Sequence, residues 1–178
     1  MTNPYLEEFE RLSFYGADHF HIRSELVCKF SWAIPNEEAI KTLCELEPLV
    51  EIGAGTGYWA WMIRQAGGRI NAYDKKPGNN RWAKGTHTVV HEGRQRCAKR
   101  YPDHALMLGW PMYADPMAAE CLELYKGETL AYMGEGYGGC TGDNRFHKLL
   151  EERFVETQCV DIPQWYGIHD TLTVWKRK

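Results

Sequence analysis

At 178 residues, with 44% hydrophobic and 13% aromatic side chains, the chain excludes disorder and leaves room for one domain with a full core, but not for two of ordinary size. Its net charge of −3 conceals a division: residues 1–63 carry −6, residues 64–100 carry +8 and residues 101–178 carry −5. No signal-peptide pattern, apolar run of spanning length, low-complexity tract or internal repeat stands out, so the expectation is a soluble, cytoplasmic protein with no membrane partner.

The first 48 residues read as helices. Leu6, Phe9 and Leu12 recur at helical spacing, and Phe20, Val27 and Phe30 do so less regularly. Asn36-Glu37-Glu38 caps and charges the start of a helix whose inner face is Ala39, Ile40 and Leu43. The aromatic run Phe30-Ser31-Trp32-Ala33-Ile34-Pro35 before it reads either as core packing or as a lid over a ligand. His19 and His21 would share a face on an extended strand, but no cluster at ligand spacing joins them, so no metal is implied. Six cysteines without a Cys-x-x-Cys pair point to reduced, structural thiols.

From residue 49 the pattern alternates. A strand over Leu49, Val50 and Ile52 runs into Gly53-Ala54-Gly55-Thr56-Gly57, a helix begins near Tyr58, and a second strand spans Arg69 to Asp74. After a turn at Pro77–Asn80 come a third strand at about Thr86–His91 and a helix around Arg94–Arg100. A fourth strand follows at Ala105–Gly109, a helix from Asp115 through Lys126, a fifth strand at Thr129–Met133, and a helix near Asn144–Arg153. Two β-rich runs, Phe154–Val160 and Ile168–Trp175, close the chain. Their short connection is below the dozen or so residues that a parallel return requires, so the last strand is expected to be antiparallel.

The stretch from Glu51 to Tyr58 is the most specific feature. Glycines at 53, 55 and 57 allow positive φ and close approach of a ligand to the backbone, and the start of the following helix suits an anionic group. Asp74, at the end of the second strand and 17 residues past the last glycine, is placed to accept hydrogen bonds from both hydroxyls of a ribose. A dinucleotide fingerprint would require glycine where Tyr58 stands. The Glu-x-Gly-x-Gly-x-Gly pattern instead resembles motif I of the class I S-adenosylmethionine-dependent methyltransferases, with Asp74 at their ribose-binding position.

That resemblance implies an α/β fold: a Rossmann-like, doubly wound, mostly parallel seven-stranded sheet with a final antiparallel strand, preceded by N-terminal helices. Residues 1–178 would form one domain, with 1–48 as a helical cap or lid and 49–178 as the core. It also implies S-adenosyl-L-methionine as cofactor, with contacts expected at Glu51, Gly53, Ala54, Gly55, Thr56, Gly57, Tyr58, Asp74, Lys75, Glu92, Gly93, Gly109 and Trp110.

The acceptor is less legible. Trp110-Pro111-Met112-Tyr113 looks like a departed form of the Asp/Asn/Ser-Pro-Pro-aromatic signature of amino-group methyltransferases, and an indole cannot accept the hydrogen bond of a target amine. Methyl transfer from a sulfonium needs chiefly in-line placement of a nucleophile. If a base takes part, Tyr113 and Glu135 are the expected catalytic residues, with His147 behind them. A small-molecule acceptor is favoured. The alternatives are a nucleic-acid base, to which Lys75, Lys76, Arg81, Lys84, Arg94, Arg96, Lys99 and Arg100 would offer phosphate contacts, and a non-catalytic regulatory protein that only binds the cofactor. A nicotinamide-dependent enzyme is a further alternative, and oligomeric state is not legible.

Overall fold

The computed structural model describes residues 2–14 and 19–178, with side chains at 13, 14, 19 and 20 outside the description. Three helices come first: α1 (Pro4–Phe14), α2 (His19–Lys29) and α3 (Glu37–Glu45). Asn36 caps α3 by accepting from the Ala39 N–H at 2.9 Å, and the helix buries Ala39, Ile40, Thr42 and Leu43. Because residues 19–29 are helical, His19 and His21 do not share a strand face as the sequence pattern allowed; the side chains of His19 and Phe20 lie outside the described residues.

The core alternates strand and helix through β1 (Leu49–Ile52), α4 (Tyr58–Gln65), β2 (Ile70–Asp74), a two-residue hairpin of β3 (Asn79–Asn80) and β4 (Ala83–Lys84), then β5 (His91–Glu92). A 3₁₀ turn at Gln95–Arg100 leads to β6 (Ala105–Gly109), α5 (Met117–Leu124), β7 (Thr129–Gly134), α6 (Asn144–Arg153), β8 (Phe154–Asp161) and β9 (Thr171–Arg177). The main sheet is ordered β5-β2-β1-β6-β7-β9-β8, and β9 runs antiparallel to both of its neighbours. The seven-stranded, mostly parallel sheet and its antiparallel final strand are as the sequence implied. Chain order reverses between β1 and β6, and it is outside such a switch point that open α/β sheets bind ligands.

The central strands owe their place to composition. Leu49, Val50, Leu106, Met107, Leu108, Leu130 and Ala131 are buried, as continuous apolar runs are when helices cover both faces of a sheet. One face packs against α1 to α4 through Leu43, Tyr58 and Met62, and the other against α5 and α6 through Leu122 and Phe146.

The third strand departs from expectation. Only His91–Glu92 pair with β2, because the backbone of the preceding residues is held otherwise. The Arg64 guanidinium donates to Thr88 Oγ1 at 2.7 Å and the Val89 carbonyl at 2.9 Å, and the His87 N–H donates to the Thr56 carbonyl at 2.9 Å. Beyond the turn expected at Pro77–Asn80 the chain forms a hairpin over 79–84, and the helix expected over 94–100 is a 3₁₀ segment.

Tyr58 anchors the N-terminal helices to the core. Fully buried, its phenol donates to Asn3 Oδ1 at 2.9 Å and accepts from the Tyr5 N–H at 3.1 Å, while Asn3 Nδ2 donates to the Pro35 carbonyl at 2.6 Å. Tyr58→Phe should therefore lower unfolding stability by about 1–3 kcal/mol, the cost of leaving a buried donor or acceptor unpaired. Urea denaturation of both proteins measures it, and equal midpoints would show that this clasp contributes nothing.

Candidate functional site

A cavity of about 540 Å³ opens over the carboxyl ends of β1, β2 and β6. Its floor is the turn after β1, where Gly53, Gly55 and Gly57 have φ of 85°, 57° and 69°. These left-handed conformations strongly favour glycine, and the amides they direct are taken up within the protein. The N–H groups of Gly53 and Ala54 donate to the Tyr73 carbonyl at 2.8 and 3.0 Å, and that of Gly55 donates to Asp74 Oδ2 at 2.9 Å. The Gly57 N–H donates to the Ala54 carbonyl and the Tyr58 N–H to Thr56 Oγ1. These five amides are therefore engaged within the protein.

Asp74 is buried, and its second oxygen accepts from the Lys76 N–H at 2.8 Å. Each oxygen thus holds one backbone donor and retains a lone pair toward the cavity. Glu51 is the other carboxylate of the floor. It is 3% exposed, lines the cavity at the end of β1, and its Oε2 has no hydrogen-bond partner. Burial, reinforced by the Asp74 charge and partly offset by Arg64, pushes its carboxyl up to about 8. Without a partner Glu51 thus keeps its proton up to about pH 8, and a cationic donor beside it would favour the ionised form.

The roof comes from three separate segments. The strap 30–33 is pinned by its carbonyls: Thr56 Oγ1 donates to that of Phe30 and Trp59 Nε1 donates to that of Ala33 at 3.2 Å. The hairpin closes over the glycine turn, its Gly78 N–H donating to the Gly55 carbonyl at 3.1 Å, and contributes Arg81 and Trp82. The loop after β6 contributes Trp110, Pro111 and Met112. Trp32 and Trp110 stack at 4.5 Å with planes 11° apart, and Trp82 meets Trp32 edge-on at 5.2 Å. Trp110 adopts φ 47°, a conformation that costs a non-glycine residue on the order of 1–3 kcal/mol and concentrates at functional sites. Its indole N–H donates to Asp170 Oδ2 at 2.7 Å.

Of the residues named from sequence, Glu51, Gly53, Ala54, Gly55, Thr56, Asp74, Lys75, Gly93, Gly109 and Trp110 line this one cavity. The others do not. Gly57 faces away, where a Cβ would lie 2.5 Å from Val90 Cγ2, so its absence of a side chain serves packing. Tyr58 belongs to the helical clasp, and Glu92 is exposed outside the cavity because β5 ends at the sheet edge.

The proposed bases lie elsewhere as well. Tyr113, 70% exposed, and Glu135 border a separate depression with Cys140 and His169. Glu135 accepts from the Cys140 N–H at 2.7 Å and the His169 N–H at 2.8 Å. Although partial burial raises its carboxyl, hydrogen bonds from Cys140 and His169 outweigh that and hold it below the ordinary range, which makes it a brace for two loops and a poor base. His147 is buried with Nε2 2.9 Å from the Thr141 carbonyl. Trp82, Met117 and Asp170 escaped sequence reading; only the turn signal at Pro77–Asn80 hinted that a hairpin would bring an indole to the site.

The sequence matches no protein-family model and no curated protein. Solved structures do resemble it. Magnesium protoporphyrin IX methyltransferase from Synechocystis with bound SAH has a TM-score of 0.54 at 10% identity, over 96% of this chain and 94% of that one. The same enzyme with bound SAM has a TM-score of 0.52 at 10% identity, over 80% and 77%. Precorrin-6y C5,15-methyltransferase from Geobacter metallireducens has a TM-score of 0.51 at 12% identity, over 90% and 99%. The fold of this chain is the class I S-adenosylmethionine-dependent methyltransferase fold.

Glu51 makes the ligand-free protein sensitive to pH. Because its folded-state pKa of about 8 lies above the ordinary value of 4.5, the native state binds the extra proton between those values and stability falls as pH rises through that window. Glu51→Gln, which cannot ionise, should flatten this slope and be the more stable protein at pH 8. Thermal melting at pH 5 and pH 8 tests it; a parent protein without the decline would remove the strained carboxylate from the argument.

Proposed function

We propose that this chain is an enzyme that transfers a methyl group from S-adenosylmethionine to an acceptor, with a small molecule as the favoured acceptor class. The observation that carries the reading is the unpartnered, buried Glu51 carboxylate beside a glycine turn and a second carboxylate, Asp74, in one cavity. The residues present fit the cofactor. Asp74 would accept from ribose hydroxyls, Glu51 would accept from the ammonium of the methionine part, and the glycine turn would let the ligand lie against backbone. Gly93 and Gln95, over the end of β5, would border the adenine. The bound cofactor supplies an electrophilic methyl group on a cationic sulfur.

The engaged amides of the turn favour this ligand over a dinucleotide, since it carries no phosphate to be held there. Residues 1–48 act in this proposal as the cap, with the strap at 30–33 as the segment that covers the bound cofactor and excludes water. The enclosure of the cavity by Trp32, Trp82 and Trp110 supports an acceptor small enough to pass beneath them, although Lys75, Arg81 and Arg94 also border it.

Isothermal titration should show binding of S-adenosylmethionine and S-adenosylhomocysteine (SAH), and none of NAD. Asp74→Ala should weaken SAH binding by about tenfold or more, as expected for lost hydrogen bonds to a charged group. It should also lower ligand-free stability, because the Gly55 and Lys76 N–H groups lose their acceptor. Undiminished affinity in the variant, or preferential binding of NAD, would overturn the assignment.

A further inference from the structure

The cofactor reading uses the strap at 30–33 as a cover but leaves the chemistry of the aromatic wall unassigned. Trp32, Trp82 and Trp110 come from three different segments, each is half-buried, and all three border the cavity. Two of the rings already attract cations: the Arg23 guanidinium lies 5.8 Å from the Trp32 ring centroid and that of Arg81 lies 4.5 Å from Trp82. Behind Trp110 stands Asp170, 2% exposed, with Oδ2 accepting the indole N–H and Oδ1 without a partner. Burial raises the Asp170 carboxyl to about 6, with the Trp110 hydrogen bond opposing that rise, so the group remains mostly ionised at neutral pH. A carboxylate accepting from the indole N–H increases the negative character of the ring face.

We propose that this wall is the acceptor subsite and that it selects a neutral, planar nitrogen heterocycle whose ring nitrogen becomes a cation on methylation. The proposal rests on the methyl-transfer reading above. In the step, the nitrogen lone pair forms the new N–CH₃ bond as the S–CH₃ bond breaks, and the electron pair of the broken bond stays on sulfur. No proton leaves, and the positive charge passes from sulfur to the ring nitrogen. The indole face of Trp110, backed by the Asp170 carboxylate, stabilises that developing cation more than the neutral acceptor, which is the differential interaction that accelerates a reaction. The Asp170 charge behind Trp110 opposes an anionic acceptor such as a phenolate or carboxylate on that ring. Lys75 and Arg94 follow β2 and β5, on the other side of β1 from Trp110, whereas Arg81 and Arg23 stand at the wall itself, over Trp82 and Trp32. Asp170 acts in this arrangement as a positioning residue, through Trp110.

The test is equilibrium binding of three flat probes of similar size in the presence of saturating SAH: N-methylquinolinium, quinoline and 2-naphthoate. N-methylquinolinium should bind about tenfold or more tightly than 2-naphthoate. Asp170→Asn retains an acceptor for the indole N–H but removes the charge, so it should weaken N-methylquinolinium severalfold and leave quinoline nearly unchanged. Trp32→Leu, on the strap, should weaken both. Equal or tighter binding of 2-naphthoate, or an Asp170→Asn effect that is the same for charged and neutral probes, overturns the proposal. Titration of SAH on the same preparations separates the two readings. SAH binding without N-methylquinolinium binding overturns this inference alone, whereas N-methylquinolinium binding with the predicted Asp170→Asn pattern but without SAH binding supports the aromatic cation site and overturns the cofactor reading.

Discussion

The arrangement of the cavity depends on one set of hydrogen bonds, those that tie the glycine turn after β1 to the end of β2. The Tyr73 carbonyl holds two turn amides and the Asp74 carboxylate holds a third, so the turn is fixed from its neighbour strand before any ligand arrives. Three glycines with positive φ are the condition for this geometry. Its consequence is chemical: five amides of the turn and helix start are committed within the protein, and the carboxyl groups of Asp74 and Glu51 stand in the cavity lining.

Two carboxylates near this cavity, Glu51 in its lining and Asp170 behind Trp110, are buried with one oxygen each left unpartnered. Burial raises both carboxyl pKa values, which means that the folded chain bears a desolvation cost for keeping them ionised. Such a cost is offset when a cationic partner arrives, so the electrostatics of the floor and of the aromatic wall both favour positive charge. The basic segment 64–100 runs through β2 and β5 and also brings Arg81 over the Trp82 ring at the wall.

The roof is assembled by tertiary contacts rather than by any continuous element. Thr56 and Trp59, from the turn and helix of the first βα unit, grip carbonyls of the strap, and Asn3 grips Pro35. This couples the N-terminal helices to the floor, since Thr56 belongs to the turn itself. The solved methyltransferases of the same fold share 10–12% identity with this chain, and at that distance the shared quantity is the backbone path of the sheet.

The sequence by itself determined the order of the sheet elements and the position of the turn. Hydrophobic period, an apolar run at 105–109 and another at 49–52 broken only by Glu51, and the glycine spacing are local signals, and local signals survive without knowledge of neighbours. The antiparallel last strand was legible for the same reason, because a short connection forbids a parallel return. Tertiary structure alone decided which side chains face the cavity. Tyr58 and Gly57 lie within the motif yet turn to the helical clasp and to Val90, while Trp82 and Asp170 lie far from it in sequence and meet Trp32 and Trp110 across the fold. Glu135 keeps the expected place after β7, but its carboxylate is taken by the amides of Cys140 and His169. Residue spacing specifies a backbone path, whereas the direction of a side chain and the state of its polar atoms depend on partners that only the packed chain supplies.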